Sequence, residues 1–156
     1  MLNDLHQHLK QKKPFGSTEE AVYLALQVIA EEQRAKFHDL FKTKELTGAQ
    51  YNVLRILRGA GPEGLSCREI GERMITRESD VTRMLDRLEA RGLVTRERQT
   101  DDRRVVLTVI TETGLETLAE LDEPVNDLHK SLMGHMTEKD LESLLKLLGK
   151  ARSRTS

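Results

Sequence analysis

The strongest constraint on the fold lies between residues 65 and 111, where the spacing of apolar residues changes from a helical period to a strand period. Ser66, followed three residues later by Glu69, has the pattern of a capping box, so we predict that a helix begins there. A second helix is predicted from about residue 78 to residue 91, and its apolar residues form one stripe: Val81, Met84, Leu85 and Leu88. The short segment 75–77 between them fits the tight turn of a helix-turn-helix.

A charged β-hairpin is predicted to follow the second helix, which should end at Gly92. The alternating residues are Val94, Arg96 and Arg98 on one strand and Val105, Leu107 and Val109 on the next. The polar tip, residues 99–102, runs into Arg103 and Arg104. Arginines at the tip of a hairpin suit a probe of the minor groove or of backbone phosphates. The whole segment therefore predicts a winged helix-turn-helix that binds DNA.

The residues opposite the apolar stripe are the candidates for reading DNA. On a helical wheel Ser79, Asp80, Arg83 and Arg87 lie opposite the stripe and point outward. We predict that these four residues and Thr82 face the major groove. Four further residues at the ends of the two helices are predicted to lie near backbone phosphates: Ser66, Cys67, Arg68 and Arg77. In the wing, the residues predicted to take part in DNA binding are Asp102, Arg103 and Arg104, with the two arginines as the contact residues.

Three segments resemble the MarR family (multiple antibiotic resistance regulators) of prokaryotic transcription factors. They are TGAQYNVLRIL (47–57), VTRMLDRLEARGLV (81–94) and DDRRVVLTVITETG (101–114). The resemblance implies a mainly α fold with a small β-wing, six or more helices and a homodimer that binds double-stranded DNA. It further implies that Arg104 enters the minor groove, that Asp102 holds the wing in shape, and that a small aromatic or phenolic effector binds between the dimer helices and the winged domain.

One position departs from the family pattern. Members often carry a small hydroxyl residue as the cap where this chain has Arg77, and two acidic residues, Glu78 and Asp80, follow it. Acidic side chains suit a helix N-terminus but repel phosphates. Asp80 is therefore expected either to accept a hydrogen bond from a cytosine amino group or to orient Arg83 or Arg77.

The charges are organised along the chain although the formal net charge is only −1. Between Ser66 and Arg104 there are ten arginines and no lysine, and the planar guanidinium suits bidentate contact with phosphate or guanine. The same stretch holds nine acidic residues, so most of these arginines are expected to form surface ion pairs. This near-neutral balance also supports an alternative function, a winged-helix protein-interaction module that does not bind DNA.

The 156 residues have the length of one domain. We predict an N-terminal segment at 1–16 with a short amphipathic helix at 2–13, dimerisation helices at 17–46 and 112–150, and the winged helix-turn-helix region at 47–111, all in one intertwined domain. Helix starts are predicted at Ser17, Thr47, Thr111 and Thr137. Pro124 lies well inside the helix that follows the wing, so we expect it to kink or break that helix.

Other chemistry finds little support in the sequence. The single cysteine excludes an internal disulfide, and Cys67 at a helix start beside Arg68 leaves oxidant sensing as a weaker alternative. The five histidines lack the spacing of helical metal ligands, and no phosphate-binding loop or nucleophile motif occurs. These absences predict a protein that is not an enzyme and needs no cofactor or metal. Because the sequence also lacks a long apolar run and a signal peptide, we expect a cytoplasmic location.

Overall fold

The computed structural model describes residues 2–76, 80–98 and 106–152 of the chain. Within them lie seven α-helices: α1 (Leu2–His8), α2 (Thr18–Lys42), α3 (Gly48–Ala60), α4 (Cys67–Arg73), α5 (Val81–Ala90), α6 (Glu112–Met133) and α7 (Glu138–Arg152). A 3₁₀ turn (Gly61–Glu63) and three short strands complete the described fold: β1 (Leu65–Ser66), β2 (Val94–Arg98) and β3 (Val106–Ile110). None of the described helices combines the length and the apolar character that crossing a membrane requires.

Side-chain caps fix several of the helix starts. Thr47 and Gln50 form the predicted capping box at α3, and Ser66 and Glu69 form the one at α4. At α2 the Ser17 hydroxyl accepts from the backbone N–H of Glu20, as predicted, but the carboxylate of Glu20 accepts from Gly16 rather than from Ser17. The helix start was therefore predicted correctly there, although the second bond lies one residue earlier.

The core lies where α3, α4, α5 and α6 meet. Residues from each of these helices are almost completely buried: Val53, Leu54 and Leu57 from α3, Ile70 from α4, Leu85 and Leu88 from α5, and Leu118 and Leu121 from α6. Each such side chain contributes about 1.5–3 kcal/mol of transfer free energy. Helix α5, which carries the residues predicted to read DNA, and the long helix α6 are thus attached to the same core.

The sheet has three strands, whereas the sequence predicted a two-stranded hairpin. All pairs are antiparallel in the order β1-β3-β2, and Thr108 of β3 lies opposite Leu65 on one side and Arg96 on the other. A two-residue strand is too short to show a period, so β1 could not be recognised from the sequence. As the central strand, β3 buries Thr108, while the expected apolar residues Leu107 and Val109 are only partly buried.

Three predicted helix boundaries or breaks were wrong. Helix α1 ends at His8 rather than near residue 13, with Lys10 at a positive φ of 50°. Helix α5 begins at Val81, three residues later than predicted. Helix α6 runs through Pro124 without a break, because this exposed proline removes a hydrogen bond only on the solvent side; a kink there, the other expectation, stays a prediction.

Candidate nucleic-acid interface

Helices α4 and α5 pack closely across the turn that joins them. A Cβ atom added at Gly71 would lie 3.7 Å from Val81 Cγ2, which is ordinary van der Waals contact. At the other end of α4, Cys67 Sγ lies 3.6 Å from Thr82 Oγ1. The side chain of Asn52 on α3 accepts from the backbone N–H of Ile75 at 3.0 Å, which ties the turn to the core.

Helix α5 presents a polar face to solvent, as the wheel predicted. Leu85 and Leu88 are buried, and Val81 and Met84 pack against the core. On the opposite side Thr82, Arg83 and Arg87 are exposed. Arg87 makes no ion pair with another residue in the described part of the chain, so its five N–H donors are available to a ligand.

Asp80 is the N-cap of α5. Its Oδ1 accepts from the backbone N–H of Arg83 at 2.9 Å, and its Oδ2 lies 4.0 Å from Arg83 Nε. A carboxylate here compensates the helix dipole as well as one unpaired N–H group. Asp80 thus caps the helix and lies at ion-pair distance from the side chain of Arg83, while its role toward DNA stays a prediction.

Several arginines of this region hold the fold together. Arg96 of β2 donates to Asp86 and Glu89 of α5, at 2.6 Å and 2.5 Å, and these hydrogen bonds, with Glu89 the stronger influence, raise the pKa of Arg96. Arg91 donates to two backbone carbonyls of the segment after α2. The sequence identified neither role, since no local spacing distinguishes these arginines from Arg87.

The residues at the start of α4 are engaged with one another. The hydroxyl of Ser66 donates to Glu69 Oε2 at 2.7 Å and accepts from its backbone N–H, and the bonds from Ser66 lower the pKa of the Glu69 carboxyl. Arg68 forms an exposed pair with Glu72 at 2.8 Å, and this hydrogen bond raises its pKa. Ser66 and Arg68 are both predicted to contact backbone phosphates. To bind a phosphate, each would have to give up its present hydrogen bond to a glutamate.

The other candidates fall outside the described residues. These are Arg77 and Ser79 before α5 and the three wing residues Asp102, Arg103 and Arg104. Their roles remain predictions from the sequence and from its resemblance. Among the described arginines of the region, Arg73 and Arg98 are exposed and, like Arg87, make no ion pair with another described residue.

A cleft of about 700 Å³ lies between α2, α3 and α5. Two aromatic side chains, Phe37 and Phe41, line it. Its charged and titratable lining residues are four basic ones and one acidic one: Arg34, His38, Arg83, Arg87 and Asp80. The rings of Phe37 and Phe41 are 5.7 Å apart, and Phe41 stacks on Tyr51 at 4.1 Å. The sequence had indicated only apolar helix surface at these phenylalanines, because the cleft forms from elements that are far apart along the chain.

Burial raises the pKa of Tyr51, with smaller and partly opposing influences from nearby charges. Its phenol therefore stays neutral at physiological pH and acts as packing behind the cleft. No group of histidine, cysteine, aspartate or glutamate residues suited to holding a metal ion occurs in the described segments.

Comparison with known proteins gives consistent results. The model of the MarR family matches residues 46–106. A curated relative, the HTH-type transcriptional repressor MdtR of Bacillus subtilis (strain 168), is 36% identical over 93 residues, which cover 60% of this chain and 59% of MdtR. The curated relatives matched first are thus spanned over about 60% of their length or less.

Solved structures match over nearly their whole length. A MarR transcription factor from Planctomyces limnophilus is 38% identical, with 87% of this chain and 98% of that chain covered and a TM-score of 0.68. Bordetella bronchiseptica BpsR, whose structure addresses regulation of its DNA binding by 6-hydroxynicotinic acid, is 25% identical, with 90% and 98% covered and a TM-score of 0.76. The similarity extends well beyond the winged helix-turn-helix region.

Proposed function

The chain belongs to the MarR family, and on that premise we propose that it is a sequence-specific transcriptional regulator, a repressor that acts as a homodimer on a pseudo-palindromic operator and is released by a small molecule. The observation that carries this proposal is the exposed polar face of α5, with Thr82, Arg83 and Arg87 opposite a buried stripe. A helix of this kind can lie in the major groove, where arginine recognises guanine.

Exposed apolar side chains support the homodimer. Of the ten large hydrophobic residues that are exposed in the described part of one chain, eight lie on α2, α6 and α7: Val22, Tyr23, Leu26, Ile29, Leu115, Leu145, Leu147 and Leu148. Helix α7 has no buried residue at all within its own chain. A second copy is the occupant we propose for these faces, since it would cover them and would set two reading helices about 34 Å apart, one turn of DNA.

The cleft beside α5 supports regulation by a small aromatic acid. Its aromatic residues, Phe37 and Phe41, can pack against a ring, while Arg83 and Arg87 both line the cleft and belong to the face that we propose contacts DNA. A carboxylate bound there would compete with phosphate or guanine for the same guanidinium groups. Effector binding would therefore weaken DNA binding directly, as well as through any change in helix spacing. The regulation of BpsR by 6-hydroxynicotinic acid is consistent with this chemistry.

DNA binding is tested by fluorescence anisotropy with duplexes selected from a random pool and a scrambled control, across a salt series. Arg87→Ala and Arg104→Ala should each weaken binding to the selected duplex by about 1–3 kcal/mol, whereas Lys130→Ala on α6 removes a distant charge and should not. Selective binding that weakens with salt and depends on these arginines supports the regulator. Absence of any salt-sensitive binding would instead support the protein-interaction module.

Effector binding is tested on the same complex. Addition of 6-hydroxynicotinic acid and other aromatic carboxylic acids should displace the protein from DNA, and Arg34→Ala, which removes a cleft cation outside α5, should require higher concentrations. A protein that stays on DNA with every acid in the panel would contradict this part of the proposal. Equal sensitivity of wild type and Arg34→Ala would exclude Arg34 from the effector site.

A further inference from the structure

We propose that Arg91 is a positioning residue for DNA binding: it fixes the direction of the reading helix α5 relative to α6 through the turn that follows α2. This inference rests on the proposed function, because its consequence is the spacing between two half-sites. The residues that would control this spacing lie away from the polar face of α5 and from the effector cleft.

The guanidinium of Arg91, at the end of α5, is bound to backbone on a distant segment. Its Nη1 donates to the carbonyl of Glu45 at 2.6 Å, and its Nη2 donates to the carbonyl of Lys44 at 3.0 Å. Two N–H groups on one rigid plane hold two acceptors in a fixed geometry. The side chain is one-third exposed, so the bonds are partly shielded from water.

The turn that receives Arg91 is itself held by backbone hydrogen bonds. Leu46 N–H donates to the carbonyl of Phe41 at 3.0 Å and Glu45 N–H to that of Lys42 at 2.9 Å, the pair of bonds that defines a Schellman motif. Glu45 takes the left-handed conformation that the motif requires, with φ 52°. Leu46 is buried in the core, so the turn cannot shift without disturbing the packing.

The same turn is linked to α6. The ammonium group of Lys44 forms an ion pair with Glu120, which lies on that helix. The chain of contacts therefore runs from Arg91 to the carbonyl of Lys44, and from the side chain of Lys44 to α6. Neither contact uses a residue that faces the proposed DNA surface.

A second attachment joins the end of α5 directly to the start of α6. The Thr111 hydroxyl donates to the carbonyl of Gly92 at 2.6 Å, and the Thr111 backbone N–H donates to that of Leu93 at 3.1 Å. Thr111 and Glu120 are nine residues apart, which is about 13 Å along a helix. Together with the buried contacts of Leu85 and Leu88, two attachments this far apart restrict the direction of α5 more closely than one would.

In a dimer formed through α2, α6 and α7, the direction of each α5 relative to α6 determines the separation and the rotation of the two reading helices. DNA demands both, since each inserted base pair moves half-sites apart by about 3.4 Å and rotates them by roughly 35°. Removal of the Arg91 attachment should leave α5 folded and able to contact bases. It should, however, let the two reading helices accept more than one half-site spacing.

The test measures affinity against half-site spacing with the full-length protein. A duplex selected by the wild type from a random pool is resynthesised with one or two base pairs inserted at its centre. We expect the wild type to lose at least about tenfold in affinity on the two-base-pair insertion, and Arg91→Ala to lose less than about threefold. The ratio of the affinity for the original duplex to the affinity for the duplex with two inserted base pairs is called the spacing ratio. Arg91→Lys, which can still donate to a carbonyl, should give a spacing ratio between those of the wild type and Arg91→Ala.

Two controls separate positioning from general loss of stability. Arg58→Ala removes a bidentate pair with Asp122 at 2.8 Å and 2.9 Å, which joins α3 to α6 without reaching α5, so it should keep the wild-type ratio. Should Arg91→Ala fail to fold, Lys44→Glu should lower the ratio, and Lys44→Glu combined with Glu120→Lys should restore it.

The positioning role would be overturned if folded Arg91→Ala kept the spacing ratio of the wild type, or if Arg58→Ala lowered that ratio as much as Arg91→Ala does. The proposed function would stay intact in both cases. A wild type that binds all spacings equally would contradict the proposed function itself, and this inference with it. A lower spacing ratio in Arg91→Ala, with the wild-type ratio kept in Arg58→Ala, supports the inference.

Discussion

The guanidinium of Arg96 donates from both Nε and Nη2 to one carboxylate oxygen of Glu89, at 2.9 Å and 2.5 Å, and so joins the first strand of the wing to the reading helix. The same Nη2 also reaches Asp86. Wing and helix are thus held by contacts that lie away from the apolar core. The side chain of Arg96 is only 26% exposed, which distinguishes it from the exposed Arg98 on the same strand.

We predict that Arg96→Ala lowers the free energy of unfolding by about 1 kcal/mol, because two carboxylates on α5 lose a charge-assisted partner. DNA affinity should fall as well, since the unpaired Asp86 and Glu89 would repel phosphates. Urea denaturation and anisotropy measure the two effects. Arg98→Ala, the matched control, should leave stability unchanged, and equal effects of the two variants on stability would contradict a structural role for Arg96.

A close contact at the start of α6 gives a second prediction. A Cβ atom added at Gly114 would lie 2.3 Å from the carbonyl oxygen of Leu93 and 2.7 Å from Ile110 Cγ1, so the first turn of α6 would have to move. Gly114→Ala should therefore destabilise the protein by about 1–3 kcal/mol. At Gly59, inside α3, a Cβ atom would meet nothing within 4 Å. Gly59→Ala should stabilise by up to about 1 kcal/mol.

Thermal unfolding of these two variants separates the effect of the close contact at Gly114 from the effect of replacing glycine by alanine in a helix. The chemical change is identical, and only the surroundings of the added methyl group differ. A stable Gly114→Ala protein would show that α6 does not sit against Leu93 as closely as the geometry indicates.

The cap of α4 predicts a dependence of stability on pH. Hydrogen bonds from Ser66 lower the pKa of the Glu69 carboxyl in the folded protein below its value in the unfolded chain. The stabilisation is therefore present above the unfolded pKa and is lost as the pH falls through the folded pKa. Unfolding followed from pH 7 downward should show a smaller loss of stability at acid pH in Glu69→Gln and in Ser66→Ala than in the wild type.

Ser66→Thr retains a hydroxyl cap and serves as the control for that experiment, with the profile of the wild type expected. If all four proteins lost stability in parallel as the pH fell, the bond between Ser66 and Glu69 would not contribute to the acid sensitivity.

The last helix gives the prediction on assembly. Leu145 is 70% exposed in a single chain, and we expect a second chain to cover it. Leu145→Glu should convert the dimer to a monomer of 17.8 kDa, with loss of operator affinity, because a carboxylate would be buried without a partner. Analytical ultracentrifugation gives the mass. Lys146→Glu places the same charge at the neighbouring exposed position and tests whether charge on α7 alone is responsible. A dimeric Leu145→Glu protein would exclude α7 from the interface.

Much of the local structure could be predicted from the sequence. The caps at Thr47, Ser66 and Thr111 and the buried stripe of α5 all follow from residues three or four positions apart. The start of α5 was predicted too early because the acidic residues before it suited a first turn, whereas Asp80 caps the helix from outside.

The amino-acid sequence by itself determined the helix starts and the exposed polar face of α5, because hydrogen bonds and apolar periods that span one turn are written in residue spacing. Only the tertiary structure decided that β1 joins the sheet, that a cleft opens beside α5, and that Arg91 binds carbonyls more than forty residues away. These features depend on how distant helices pack. A backbone carbonyl is also present in every residue, so no side-chain pattern can mark the ones that Arg91 will bind.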